Sequence, residues 1–385
     1  MEMVDDRISD LCECIIHHIL SFLPQTDVVK TSTLSKRWQK VWASNPNLEF
    51  EFDKDMFGHE QEFIKYVDYT LERFCTQNPY VLQKLKLSLI DFNFEEAHFH
   101  ISKWIAWAIE KQVGQLKLQA HGYSLPQTIF SLESLTTLEL SDCKLEHPSI
   151  EKPGNSIKLP SLQKLSLCYV DADKAIVEQI IQNCPLITDI AINQCHGLFG
   201  ISVSGQTKLR KLEIIDPFHL YREDLMKKIY IDAPNLYCLT IGSRLLKSIT
   251  LWGDKLTGKM FYPGKDEDLN CHVPVLKVLN LKCQKLRKFS ISSPSLKVLN
   301  LDQVDLEEAD IYTPNLLLFQ YTNCVCNTPK FSIHAPCPWE ITIHSALYET
   351  DTSLYLSLRE FLGKSSRVMV LNIAILLLQG KVRMF

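Results

Sequence analysis

The chain has 385 residues, 22% of them charged, with a formal net charge of −4, which allows one small and one large domain and gives no bulk electrostatic drive toward nucleic acid. Its acidic opening, MEMVDDR, lacks the apolar run of a secretory leader, and its longest apolar stretch, residues 368–378, is interrupted by Asn372 and too short to span a membrane. Thirteen cysteines without a secretion signal point to free thiols in the cytoplasm or nucleus.

Residues 5–44 predict three short helices with almost no loop between them. Leu11, Ile15, Ile19 and Leu23 recur every four residues, and Ile16 and Leu20 widen the stripe, so one helix face is apolar over three turns. Asp10 and Glu13 stand at capping-box spacing with Asp10 in the capping position, and Pro24 closes the helix. A second turn starts at Thr26 or Asp27 and carries Val28 and Val29. A third helix runs from about Leu34, with Leu34, Trp38, Val41 and Trp42 at i, i+4, i+7 and i+8. So small a unit cannot enclose all its branched aliphatics and both tryptophans, and the surplus apolar surface calls for a partner.

Residues 45–80 read as a connector, opened by the Asn45-Pro46-Asn47 turn signal, and an amphipathic helix over 59–77. The apolar side of that helix carries Phe63, Val67, Leu71 and Phe74, and Asn78-Pro79 ends it. Over residues 81–375 an internal repeat takes over. Its sharpest form, Pro-x-Leu-x-x-Leu-x-Leu with other apolar residues allowed, begins at Pro160, Pro185, Pro234, Pro274, Pro294 and Pro314. The same apolar triplet without proline occurs at Leu82-Leu85-Leu87, Val113-Leu116-Leu118, Leu135-Leu138-Leu140 and Leu209-Leu212-Ile214, with Val368-Leu371-Ile373 as a last copy. The x-Leu-x-Leu part alternates as a short strand with one buried face, the proline stops the preceding element, and the residue after it enters the strand. Such units are leucine-rich repeats, which stack because none can bury its apolar face alone.

Cys184 leads one repeat and Cys195 follows its strand; Cys143 and Cys324 hold the same place as Cys195. From about residue 279 the period shortens to ten, with Leu281, Ile291, Leu301, Ile311, Tyr321, Phe331 and Ile341 on the beat. That beat leaves no room for a helix, so extended backs are expected there and helical backs earlier, residues 173–183 being one such helix. The fold class is therefore α/β: a three-helix segment, then a solenoid of short parallel strands with mixed helical and extended backs.

DRISDL, ILSFLP, DVV and TLSKRW before a second Trp resemble the F-box of plant F-box proteins. WIAWAIEKQVGQLKL, YSLPQTIFSLESLTTLELSDCKL and IKLPSLQKLSLCYV resemble the early repeats of plant F-box proteins with leucine-rich repeats. The resemblance implies that residues 5–44 dock on the Skp adaptor of a cullin-based ubiquitin ligase. By position, the contacting residues are Leu11, Cys12, Ile15, Ile16, Ile19, Leu20, Leu23, Pro24, Leu34 and Trp38. The family usually has Leu-Pro where this chain has Leu11-Cys12, which removes a residue pre-set for the first helical turn and is expected to weaken docking without abolishing it. Many relatives carry a further C-terminal domain whose strand pattern is not found after Phe361. The chain stops inside what reads as a repeat, which leaves a shortened product open as a reading.

His17-His18 reads as a solvated or adaptor-rim pair. Cys12-x-Cys14 and Cys324-x-Cys326 lack the spacing of a zinc finger, the repeat cysteines read as buried residues, and Trp104 and Trp107 read as core. Lys208, Arg210 and Lys211 read as a solvated face, able to hold a phosphate only if other coils aim cations at the same place. No Gly-rich phosphate loop, nucleophile elbow or paired-carboxylate signature stands out, and neither cofactor nor metal is expected. Three readings stay open: a ligase substrate receptor holding an unknown target protein on its repeats, a small-molecule-gated receptor of the same class, and a repeat scaffold that assembles no ligase. None is an enzyme, and none binds nucleic acid or membrane.

Overall fold

The computed structural model describes residues 8–377 apart from 9, 24, 78–81, 91, 93, 146–156, 217–227, 244–247, 253–268, 284–285, 305, 324–329, 335–338, 348–355, 357–358 and 360–367. The architecture is α/β, three N-terminal helices followed by leucine-rich-repeat coils, and it divides into two compact units. The first takes in residues 1–144 and 148–162; the second, residues 145–147 and 163–385.

In the first unit, helices α1 (Glu13–Leu20), α2 (Gln25–Thr31) and α3 (Lys36–Ala43) close around Ile16, Leu20, Val28, Trp38 and Val41, with Leu11 and Trp42 packed on the margin. All three starts differ from the sequence reading, α2 beginning at Gln25 and not at Thr26 or Asp27. The N-cap of α1 is Cys12, whose carbonyl accepts from Ile15 and Ile16, so Glu13 is the first helical residue and cannot reach back in a capping box. A turn at Ile8–Leu11 occupies the preceding residues, and the Arg37 guanidinium fixes the Leu11 carbonyl. α3 begins not at Leu34 but after Ser35, whose hydroxyl accepts from the Trp38 amide at 3.2 Å.

The stretch read as a connector contains the first strand, Asn47–Glu51, which pairs in parallel with Lys84–Ser88. Gln115–Gln119 and Thr137–Ser141 continue that pairing, placing Leu48, Leu85, Leu116 and Leu138 in one buried row. Leu48 and Phe50 lack the upstream leucine that marks the other copies, which is why the strand went unread. After the short helix α4 (Lys54–Phe57), helix α5 (Glu60–Gln77) buries Phe63, Val67, Leu71 and Phe74 as its pattern requires. Helix α6 (Phe94–Glu110) brings Trp104 and Trp107 edge-on to Phe63 and Phe74, at 6.3 and 5.7 Å. Trp104 is fully buried and donates its indole N–H to Asp68 at 2.8 Å, placing it in the core, whereas Trp107 is half-buried at its margin. α5 also meets α3, where the Arg73 guanidinium lies 4.7 Å over the Trp42 ring.

In the second unit one long sheet takes Lys164–Cys168, Asp189–Asn193, Lys211–Ile215, Cys238–Gly242, Val278–Lys282, Val298–Leu301, Leu318–Asn323, Trp339–Leu347 and Val368–Leu377, all parallel. Leu165, Ile190, Leu212, Leu239, Leu279, Leu299, Phe319, Ile341 and Leu371 stand opposite one another along the sheet, and the pairing of its last two strands shifts register between Trp339 and Glu340. The repeat prolines do not lead directly into strands. Each occupies the second place of a tight turn, closed for instance by Leu236 N–H to Ala233 carbonyl at 3.1 Å, and the strand starts four residues after the proline.

Helix α7 (Lys174–Gln182) backs one coil, capped by Asp173, which accepts from Ala175 at 3.0 Å, and it buries Ile176, Val177, Ile180 and Ile181. Beyond it the back of the unit is a second parallel sheet, in the order Gly200–Ser204, Lys228–Asp232, Leu269–His272, Ser248–Trp252, Lys288–Ser292, Glu308–Tyr312, Lys330–His334. Extended backs thus begin near residue 200, well before residue 279. Insertions between these earlier strands hide the beat. Leu269–His272 inserts between Lys228–Asp232 and Ser248–Trp252 and pairs in parallel with both. The ten-residue beat holds from Leu281 to Tyr321 and then slips by two: Ile311 pairs with Ile333 and Tyr321 with Ile343.

Candidate partner-binding surfaces

The apolar stripe of α1 divides between two jobs. Ile16, Leu20 and Trp38 face inward and hold the three helices together, and Leu11 is half-buried beside them. Ile15, Ile19, Leu23 and Leu34 remain exposed, Ile19 at 37% and Leu34 at 66%, and Cys12 is exposed at the helix start. Pro24 lies outside the described residues. The structure adds Phe22, 74% exposed and edge-on to His18 at 4.9 Å, which stands at i+7 from Ile15 and i+3 from Ile19 and so off the strict four-residue period. A run of large apolar side chains in water on so small a unit is the physical mark of an interface.

His17 has a structural role: its Nε2 lies 3.0 Å from the Val41 carbonyl and 3.2 Å from Ser44 Oγ, clasping α1 to the end of α3. The carbonyl can only accept, so Nε2 carries the proton in this contact. The Cys12 and Cys14 sulfurs approach to 2.9 Å. A hydrogen bond from the Cys14 thiol pulls the Cys12 pKa down, and the same contact pushes that of Cys14 up.

The repeat cysteines are interior residues. Asp142 and Gln194 take left-handed conformations immediately after their strands and turn Cys143 and Cys195 into the coil. Burial pushes the thiols of Cys143, Cys184, Cys195 and Cys283 up to about 12. Cys324 and Cys326 lie outside the described residues. Among the described residues no group of three or more His, Cys, Asp or Glu side chains is placed to hold a metal, and no helix is long and apolar enough to cross a membrane.

The second surface is an edge of the long sheet in the second unit. Residues one place ahead of successive strands form a backbone ladder: Arg210 N–H to Thr188 O, Tyr237 to Arg210, Lys277 to Tyr237 and Lys297 to Lys277, at 2.8 to 3.0 Å. Their side chains therefore stand in one row. Arg210 was singled out in the sequence; Tyr237, Lys277 and Lys297 were not, although the third residue after each repeat proline is the column that would have shown them. An open depression of about 820 Å³ runs along this row.

A three-helix module ahead of leucine-rich-repeat coils, with its spare apolar side chains exposed, defines an F-box protein with leucine-rich repeats. Residues 8–50 match the F-box domain model, and residues 101–256 match the model described as "FBD-associated F-box protein At5g56370, LRR repeats". F-box/LRR-repeat protein 25 of Arabidopsis thaliana is 30% identical over 241 residues, covering 61% of this chain and 85% of that protein. F-box/LRR-repeat protein 13 of the same plant is 31% identical over 255 residues, 64% of this chain and 54% of that protein. F-box/FBD/LRR-repeat protein At1g78750, also of Arabidopsis thaliana, is 28% identical over 260 residues, with the same coverage. The chain belongs to the plant F-box/LRR-repeat family. It spans about half the length of most of the curated relatives it matches. No solved structure matches it.

Proposed function

We propose that the chain is the substrate-recognition subunit of a cullin-type (SCF) ubiquitin ligase, an adaptor and not an enzyme. The F-box holds the Skp adaptor and, through it, the cullin, while the repeats hold a target protein for ubiquitination and proteasomal degradation. The observation that carries this reading is the exposure of Ile15, Ile19, Leu23 and Leu34 on a module whose core is already closed by Ile16, Leu20 and Trp38. Catalysis then comes from proximity, with the charged ubiquitin-conjugating enzyme and the target lysine held on one scaffold. Proximity needs a firm join, and the Trp42–Arg73 stack with the packing of α3 on α5 supports one between the F-box and the first coils. Unbridged buried thiols at Cys143, Cys184, Cys195 and Cys283 support a reducing compartment, cytoplasm or nucleus.

The test is co-purification of the chain with a plant Skp adaptor. A stable complex of equal stoichiometry is expected. A chain that purifies folded yet fails to retain adaptor at micromolar concentrations would leave the repeat-scaffold reading in its place.

A further inference from the structure

The row of cations on the second unit is a local excess of positive charge in a chain whose net charge is −4. Lys208, Arg210, Lys211 and Lys277 line the depression together with Tyr237 and Val275. Lys211 has the Glu213 carboxylate at 4.0 Å, and that carboxylate also accepts from Asn193 at 2.8 Å. Among the described residues no carboxylate pairs with Lys208, Arg210 or Lys277. The Lys277 ammonium is held 5.2 Å over the Tyr237 ring, which fixes one charge beside an aromatic face that is 48% exposed. Val275, 41% exposed, adds a second apolar contact.

Lys208, Arg210 and Lys211 cluster at the start of one coil, Tyr237 precedes the next strand, and Lys277 precedes the one after, roughly 10 Å from the cluster at about 4.8 Å per strand. A compact polyphosphate would meet these cations but leave the exposed apolar surfaces of Tyr237 and Val275 unused. An extended peptide with several carboxylates and one large apolar side chain would match both. We infer that this row docks an acidic segment of a protein, Asp- and Glu-rich around an aromatic residue, and that such a segment is the part of the target the repeats recognise. The second half of the inference rests on the ligase reading above; the docking itself does not.

The test is fluorescence anisotropy of the full chain with a labelled peptide of Glu and Asp residues around a central Phe. A counterpart with Lys for every acid and unlabelled tripolyphosphate serve as comparisons. Expected results are saturable binding of the acidic peptide that weakens as salt rises, no binding of the basic one, and a loss of about tenfold in affinity in the Arg210→Glu/Lys277→Glu chain. Both substituted side chains lie on the surface, and unchanged circular dichroism verifies the fold. Tyr237→Ala should weaken the Phe-containing peptide but not an all-acidic one. Equal affinity in the charge-reversed chain overturns the proposal. So does tripolyphosphate that binds more tightly than the peptide and ignores Tyr237→Ala, which would make the row a polyphosphate site. Adaptor retention by the same preparations reports separately: its loss overturns the ligase reading and leaves the peptide measurement standing.

Discussion

The F-box helices and the coils around residues 278–323 use leucine in opposite ways. In the coils every patterned position is consumed internally: Leu279, Leu299 and Phe319 form one buried register, as do Leu281, Leu301 and Tyr321. In the F-box the same kind of pattern is split, Ile16 and Leu20 inward, Ile15 and Ile19 outward. A coil has neighbours on both sides to accept its apolar face, whereas the three-helix module meets a neighbour only where α3 packs on α5 among the described residues and leaves the remainder in water. Apolar surface is therefore what the small module leaves exposed. The solenoid exposes the polar and cationic side chains between its leucines.

The largest break in this comparison comes from Leu299→Ala. It leaves a cavity between Leu279 and Phe319 and should destabilise the second unit by about 2–5 kcal/mol. Hydrogen exchange should accelerate first in the coils near residues 280–320, with adaptor binding intact. Loss of adaptor binding together with those coils would contradict the separation of the two roles. Next is Ile19→Asp, which places a carboxylate in the exposed half of the stripe. It should cost the adaptor complex about 2 kcal/mol or more by calorimetry with little change in melting temperature. Ile16→Asp should instead unfold the helices, and similar melting of the two variants would show that the stripe is not divided.

Ser35→Ala removes the cap of α3 and should lower stability by about 1 kcal/mol in denaturant titration. Cys12→Pro sharpens the comparison in the other direction. Cys12 already has φ −65° and ψ 152°, a conformation proline takes without strain, so stiffening the unfolded chain should add about 0.4–1 kcal/mol. A drop in melting temperature would show that the Cys12 N–H or the Leu11 conformation matters more. The mildest probe changes no residue. At about pH 8, iodoacetamide should label Cys12, exposed with a lowered pKa, well before Cys143, Cys195 or Cys283, which burial keeps protonated as pH rises toward about 12. Peptide mapping that finds Cys143 modified as fast as Cys12 in the native chain would refute that order.

Much of this was legible in the residues. The four-residue stripe of α1, the helix ending at Gln77, the Pro-led triplets and the back helix after Asp173 were all visible, because helix and strand periodicity are local properties. The first strand was missed because Leu48 and Phe50 form a strand only by pairing with Lys84–Ser88. The capping box was misplaced because a turn at Ile8–Leu11 competes for the same residues. The second sheet was expected some eighty residues too late, since insertions conceal a period that pairing restores.

By itself the sequence determined which residues are apolar, at what period, and hence that this chain makes three helices and then stacked leucine-rich coils. Those follow from side-chain chemistry at short range. Tertiary structure alone decided which isoleucines of α1 stay in water, where a strand joins the sheet, and that Arg210, Tyr237, Lys277 and Lys297 stand in one row. These are long-range outcomes. Residues distant in sequence become neighbours only when the backbone ladder sets the register of each coil on the last.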